Sequence, residues 1–177
     1  MPNLNEIGDR FIQALNEIRV TRPLETELLA REALALVRLR IQRQGGDENG
    51  ADFGQYSDAV VPRWYFNKLM TSGSKKILER KGWFVSYKDA RESRGLQTDT
   101  YDYTFTGRFF NELKSTIFSN DLVSTTAVIR GSQRSEDILN FQSEKIGKSI
   151  LLLSVEELQI INDAYFERID DIINKYL

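Results

Sequence analysis

The chain contains neither cysteine nor histidine. The first absence excludes disulfides, thiolate metal sites and cysteine nucleophiles, and is in keeping with an intracellular chain. The second removes the commonest general base, the commonest transition-metal ligand and every histidine-containing triad. Catalysis would then fall to carboxylates, Lys, Ser or Tyr, and no carboxylates form a recognisable pair with neighbours set to shift a pKa. Ser72-Gly-Ser-Lys75 matches a Ser/Lys nucleophile arrangement only loosely. The glycines form neither a Walker A motif nor a GxGxxG after a strand. No cofactor or metal is expected, and an enzyme, for which a carboxylate-based hydrolase is the version to weigh, ranks last. Long apolar runs are missing as well. Ile150–Leu153 is far too short to span a bilayer, so no membrane partner is expected. The start, MPNLNEIGDR, lacks the basic region and apolar run of a signal peptide.

What is present is ordinary for a globular chain. The 177 residues include 41% hydrophobic and 28% charged residues, enough for one domain with a sizeable core and cramped for two. A net charge of −2 is too near neutral for a dedicated nucleic-acid binder. Asn3-Leu-Asn-Glu6 has capping-box spacing, and Ile7, Phe11, Ala14, Leu15 and Ile18 follow at helical intervals. This predicts a first helix to about Arg19, ended before Pro23, so that residues 1–22 form an N-terminal helical extension. A second helix is predicted from Leu24 to Gln44, stopped by Gly45-Gly46, with Arg38, Arg40 and Arg43 at the negative end of its dipole. The loop DENGADFGQ at 47–55 is turn chemistry, since the spacing of a calcium loop fails at Ala51 and the closing Glu is missing.

The stretch Gly95–Leu113 organises the middle of the chain. Tyr101, Tyr103 and Phe105 alternate with Thr100, Asp102 and Thr104, which predicts a half-buried strand. Thr106-Gly107 breaks it. Phe109, Phe110, Leu113 and Ile117 then follow at helical spacing. Leu122–Arg130 is β-branched and reads as a strand, Ser135–Phe141 as a short helix, and Gly147–Leu153 as a further strand-like run. Ser154-Val-Glu-Glu157 caps a last helix over 154–177, which carries six acids against two bases. The fold class expected is α+β: a small, mostly antiparallel sheet from the Thr98–Phe105, Leu122–Arg130 and Ser149–Leu153 regions. Two long helices pack it, the second and the last.

Two segments stand out as contact surfaces. Trp64, Tyr65 and Phe66 in succession cannot all face one core, so at least one meets a neighbour or lies on the surface. With Arg108 and Phe109 they are the residue types favoured at protein interfaces, although core is the plain alternative for Phe109, Phe110 and Leu113. Lys75, Lys76, Arg80 and Lys81 follow in a short basic helix before Gly82. Its plain reading is a solvated face; its functional reading is contact with DNA or an acidic partner. Aromatics beside bases over 64–76 also suit a nucleic-acid-binding module that stacks on bases, and this is the alternative function.

The order of these segments resembles a known family. A helix ending in Arg residues precedes a Gly/Asp loop and Asp52-Phe-Gly-Gln-Tyr-Ser57; Thr104-Phe-Thr-Gly-Arg108 leads into an amphipathic segment; Leu153-Ser-Val-Glu-Glu157 opens the closing helix. Over Leu24–Leu177 the pattern is similar to the tail-completion or virion-morphogenesis proteins of tailed bacteriophages, including the group similar to the small head–tail joining protein of lambdoid phages. It departs from that pattern in having Asn49-Gly50 where the family has Asp-Gly, and in its N-terminal helix. The resemblance implies a structural virion protein of the head–tail neck without catalytic residues. Its implied partners are copies of itself in a ring, the neighbouring portal, adaptor and tail proteins, and DNA that passes through the lumen without specific binding. Near-neutral charge is compatible with such a lumen.

Overall fold

The computed structural model describes residues 3–104, 108–147 and 149–177. It is α+β, as expected, and mostly helical, but of the predicted strands only Leu122–Arg130 is found, over Thr125–Arg130. The chain begins with one helix, α1, over Leu4–Gln44. Asn3 caps it with the predicted box: its side chain accepts from the Glu6 amide at 2.9 Å while the Glu6 carboxylate accepts from the Asn3 amide at 3.1 Å. Gly45 ends it in the left-handed conformation, φ 63°. A side chain there would also collide with Thr100, so two requirements meet on one glycine.

The predicted break before Pro23 does not occur; Pro23 lies inside α1. Proline removes one intrahelical hydrogen bond and crowds the preceding turn, at a cost of about 3 kcal/mol. Contacts on both sides of Pro23 splint the helix across it. Arg22 donates to Thr125 at 2.9 Å and to the Leu122 carbonyl at 3.4 Å. The last helix, α6 (Val155–Tyr176), runs antiparallel along α1. Its Lys175 pairs with Glu17 at 2.9 Å ahead of the proline, and its Arg168 pairs with Glu25 at 3.1 Å and Glu32 at 2.5 Å beyond it. The Ser154–Glu157 capping box that opens α6 is formed. Where the two helices meet at their other ends, buried Arg40 donates to Glu157 at 3.0 Å and to the Leu152 carbonyl at 2.7 Å.

Between α1 and α6 come two separate antiparallel strand pairs rather than one sheet. In the first, β1 (Val60–Pro62) pairs with β2 (Phe84–Ser86). A 3₁₀ helix (Arg63–Leu69) and α2 (Ser72–Lys81) lie between these strands, and α3 (Tyr87–Glu92) follows them. In the second, β3 (Lys114–Asn120) and β4 (Thr125–Arg130) form a hairpin that lies on α1. Its turn is held by Asp121, whose carboxylate accepts from the Val123 and Ser124 amides at 2.8 and 2.7 Å. The two remaining helices are α4 (Arg108–Glu112) and α5 (Gln133–Ile146). The helix predicted to run from Arg108 to Ile117 therefore ends at Glu112, and Ile117 is a strand residue.

Neither Thr98–Thr104 nor 149–153 forms a strand; Phe105–Gly107 of the predicted strand and break lie outside the described residues. In the first segment, side chains take the hydrogen bonds a ladder would need. Gln97 accepts from the Asp99 and Thr100 amides, Asp102 accepts from the Thr104 amide, and Tyr103 has φ 55°. In the second, Ile150 turns into the core instead of alternating. Two apolar clusters result. One joins Val37 and Ile41 of α1 to Phe109, Phe110, Leu113 and Ile150; the other joins Phe66, Leu78, Val85 and Ala90.

Candidate functional site

A chain of aromatic rings bridges the two clusters and walls a cleft of about 480 Å³. It begins in the second cluster at Phe66, whose ring centroid is 6.0 Å from that of Tyr87. Tyr87 lies 5.4 Å from Tyr56, and Tyr56 only 4.3 Å from Tyr101. Tyr101 then meets Tyr103 at 6.1 Å, Tyr103 meets Phe109 at 5.9 Å, and Phe109 meets Phe110 in the first cluster at 4.8 Å. Such offset and edge contacts are each worth about 0.5–1.5 kcal/mol beyond burial alone. Tyr65, Arg108, Glu112, Arg134 and Gln142 are among the other residues that line it.

One buried arginine locks the rings in place. Arg91, on α3, is wholly buried. Its guanidinium stacks 4.1 Å from the Tyr56 ring centre and donates to Asp102 and to the Gln97 carbonyl, each at 2.7 Å. The Tyr56 hydroxyl donates to Asp102 at 2.6 Å and accepts from the Asp102 amide at 3.0 Å. A buried charge is tolerated only when it is paired and hydrogen-bonded, and here both carboxylate oxygens are used. Burial pushes the Asp102 carboxyl up, but hydrogen bonds from Tyr56 and Thr104 outweigh it, and its pKa ends below the ordinary value.

The other shifts around the cleft also lead away from neutrality. Burial pushes the Tyr87 and Tyr103 hydroxyls up to about 12 and Tyr56 higher still. Hydrogen bonds from Ser132 and Ser135, with Arg108 beside it, bring Glu112 down to about 2. The tyrosines stay neutral and the two carboxylates stay ionised across the physiological range. The cleft is thus an apolar wall with a charged mouth: Arg108 and Arg134 line it, Arg108 being paired with Glu112 at 2.9 Å, and Lys145 lies 5.4 Å from the Tyr101 ring.

The residues predicted from sequence divide between surface and core. Trp64, Tyr65 and Arg108 are exposed, Tyr65 and Arg108 beside the cleft. Phe66, 1% exposed, and Phe109, 6% exposed, are core residues, which corrects their assignment as interface residues. The 3₁₀ helix turns Phe66 toward Leu78 and Val85 while its neighbours point outward. In the basic helix α2, Lys76 and Arg80 are exposed and Lys75 is half-buried. Lys81 is engaged by Asp89 at 2.6 Å and by Glu92, so it is not an open contact for DNA. Hydrogen bonds that it donates to those two carboxylates raise its pKa. Tyr56, Tyr87, Arg91 and Asp102 were not singled out from sequence.

Among the described residues, no group of three or more His, Cys, Asp or Glu side chains gathers to hold a metal. In the 47–55 loop, Asp47 instead accepts from the Asn49 and Ala51 amides at 2.9 and 2.8 Å, which shapes the turn. No described helix is long and apolar enough to cross a membrane. No protein-family model, no curated protein and no solved structure matches this chain.

The second notable surface is the start of α1. Ala14 is the first buried residue of the helix, and residues 3–13 are all exposed. Glu17, three residues beyond Ala14, accepts from Lys175 and Tyr176 near the end of α6. About three turns therefore project beyond the packed body. Leu4, Ile7, Phe11, Ile12 and Leu15 line one face of this overhang in water.

Proposed function

We propose that the chain is a structural virion protein of the head–tail neck of a tailed phage, assembling as a ring between the portal or adaptor and the tail. The observation that carries the reading is the pair of unmatched apolar surfaces on one chain, the α1 overhang and the ring-lined cleft. Contiguous exposed apolar patches of this kind mark interaction sites. Tyr56, Tyr87 and Tyr103 are shifted up and Glu112 down, away from neutrality, which suits adhesion better than acid–base chemistry. The sequence resemblance supplies the setting, namely repeated copies, a portal-side and a tail-side neighbour, and DNA passing without being gripped. The assembled virion is the proposed location.

The nucleic-acid reading keeps Trp64, Tyr65, Lys76 and Arg80 on the surface, yet Lys81 is committed to carboxylates and Glu79 lies among the bases. Light scattering behind a sizing column, across a concentration series, tests the proposal together with negative-stain imaging. A closed ring with a central hole is expected. A monomer that shifts single-stranded DNA in a salt-sensitive way, and loses the shift with Lys75→Glu and Lys76→Glu, would favour the alternative.

A further inference from the structure

We infer that the α1 overhang of one copy docks in the tyrosine cleft of the next, head to tail; this deepens the ring reading and rests on it. Three features select that occupant. The first is shape. Leu4, Ile7 and Phe11 fall at i, i+3 and i+7, the spacing by which an amphipathic helix anchors in an apolar groove. The cleft, at about 480 Å³, is larger than the Ile7 and Phe11 side chains taken together. Tyrosine walls are suited to the purpose, because they offer large apolar area with little side-chain freedom to lose.

The second is charge. Over residues 3–13 the overhang carries Glu6 and Asp9 against Arg10. The cleft lining carries Arg108 and Arg134 against one carboxylate, Glu112, already bonded to Ser132, Ser135 and Arg108. Two acids against one base on the overhang therefore face two bases against one acid on the cleft lining.

The third is position and area. Tyr103 packs on the cluster that holds Val37 and Ile41, and Thr100 abuts Gly45, so the cleft lies by the C-terminal end of α1. Phe11 and Ile41 are about 45 Å apart along the helix, so a chain's own overhang cannot reach its own cleft. Donor and acceptor at opposite ends of one chain give a heterologous contact, which repeats and closes into a ring when the rotation allows. The five apolar side chains of the overhang expose on the order of 600 Å², against about 800 Å² per partner in a standard interface. The polar flank of the same turns, meeting Tyr65 and Arg134 at the cleft, supplies the remainder.

The absence of cysteine makes the test clean. Phe11→Cys and Tyr65→Cys, introduced together and treated with a short bismaleimide, should give a ladder of covalent dimers, trimers and higher species. Either substitution alone should give none. Dimers from Phe11→Cys alone would show overhangs pairing with each other and overturn the inference, as would the double variant without a ladder. A second experiment covers the case in which the thiol variants fold poorly, judged by circular dichroism. Ile7→Asp with Phe11→Asp breaks the overhang, and Tyr65→Asp with Arg134→Glu breaks the cleft, all at surface positions. Each protein alone should be a monomer, and their mixture should double in mass and go no further, because one sound overhang meets one sound cleft. A mixture that stays monomeric overturns the inference. The mass of the unmodified protein separates the two levels: large rings without a ladder leave the ring reading standing and remove this contact, whereas monomers without a ladder remove both.

Discussion

At the centre of the molecule a full charge pair, Arg91 and Asp102, is sealed from water, whereas at one end of α1 five large apolar side chains stand in it. Arg91 is 0% exposed and Leu4 is 89% exposed. Hydropathy alone would place them the other way round. The difference lies in what surrounds each. Arg91 has a carboxylate, a carbonyl and an aromatic face arranged around it by two other segments, that of Tyr56 and that of Gln97 and Asp102. Leu4 stands exposed on the first turn of α1. Burial in this chain follows the supply of partners within the fold rather than hydropathy alone.

The comparison can be broken most severely at the buried pair. Arg91→Ala leaves Asp102 charged, buried and short of a donor, and should cost about 3–5 kcal/mol in a urea titration. A loss below about 1 kcal/mol would mean that the network is an ornament of a core held elsewhere. The next largest effect contrasts two positions on α1 itself. Ile41→Ala, in the core cluster, should cost about 2–5 kcal/mol, whereas Phe11→Ala, on the overhang, should change the same midpoint by less than about 0.5 kcal/mol. Equal losses would show that the overhang is packed on the monomer after all.

The smallest effect is one of pH. The folded pKa of Asp102 lies below its ordinary 3.8, so the carboxylate contributes stability that is complete above that value and lost as pH falls through the folded one. Glu112, at about 2 against 4.5, acts in the same direction and window. Stability measured from pH 5 to pH 2 should therefore fall, and Asp102→Asn should shallow that slope while lowering stability at neutral pH. An unchanged slope would assign acid sensitivity to other carboxylates.

Much of the helical framework was legible in particular residues. Asn3 with Glu6, Ser154 with Glu157, and Gly45 after Gln44 act on their own neighbours, and each stands where it was read. Pro23 misled because the groups that bridge it, Thr125, Arg168 and Lys175, lie about a hundred residues or more away in sequence. The alternation of Tyr101, Asp102 and Tyr103 misled because side chains of Gln97 and Asp102 hold the backbone in turns. The β-branched run at Thr125–Arg130 was legible as a strand, but its partner strand was hidden in a stretch that also fits helical spacing. Of the cleft, Tyr65 and Arg108 could be picked out as contact residue types. Tyr56, Tyr87 and Arg91 carried no local signal, since their roles depend on Asp102 reaching them across the fold.

The sequence by itself determined the secondary structure wherever a capping side chain, a helix-ending glycine or an amphipathic period acts within a few residues, because those interactions close locally. It also set the chemical inventory, without thiol or imidazole. Tertiary structure alone decided which of Trp64, Tyr65 and Phe66 turned inward, whether a proline ended a helix, and which charges were buried. Those outcomes depend on groups that only folding brings within a few ångströms of one another.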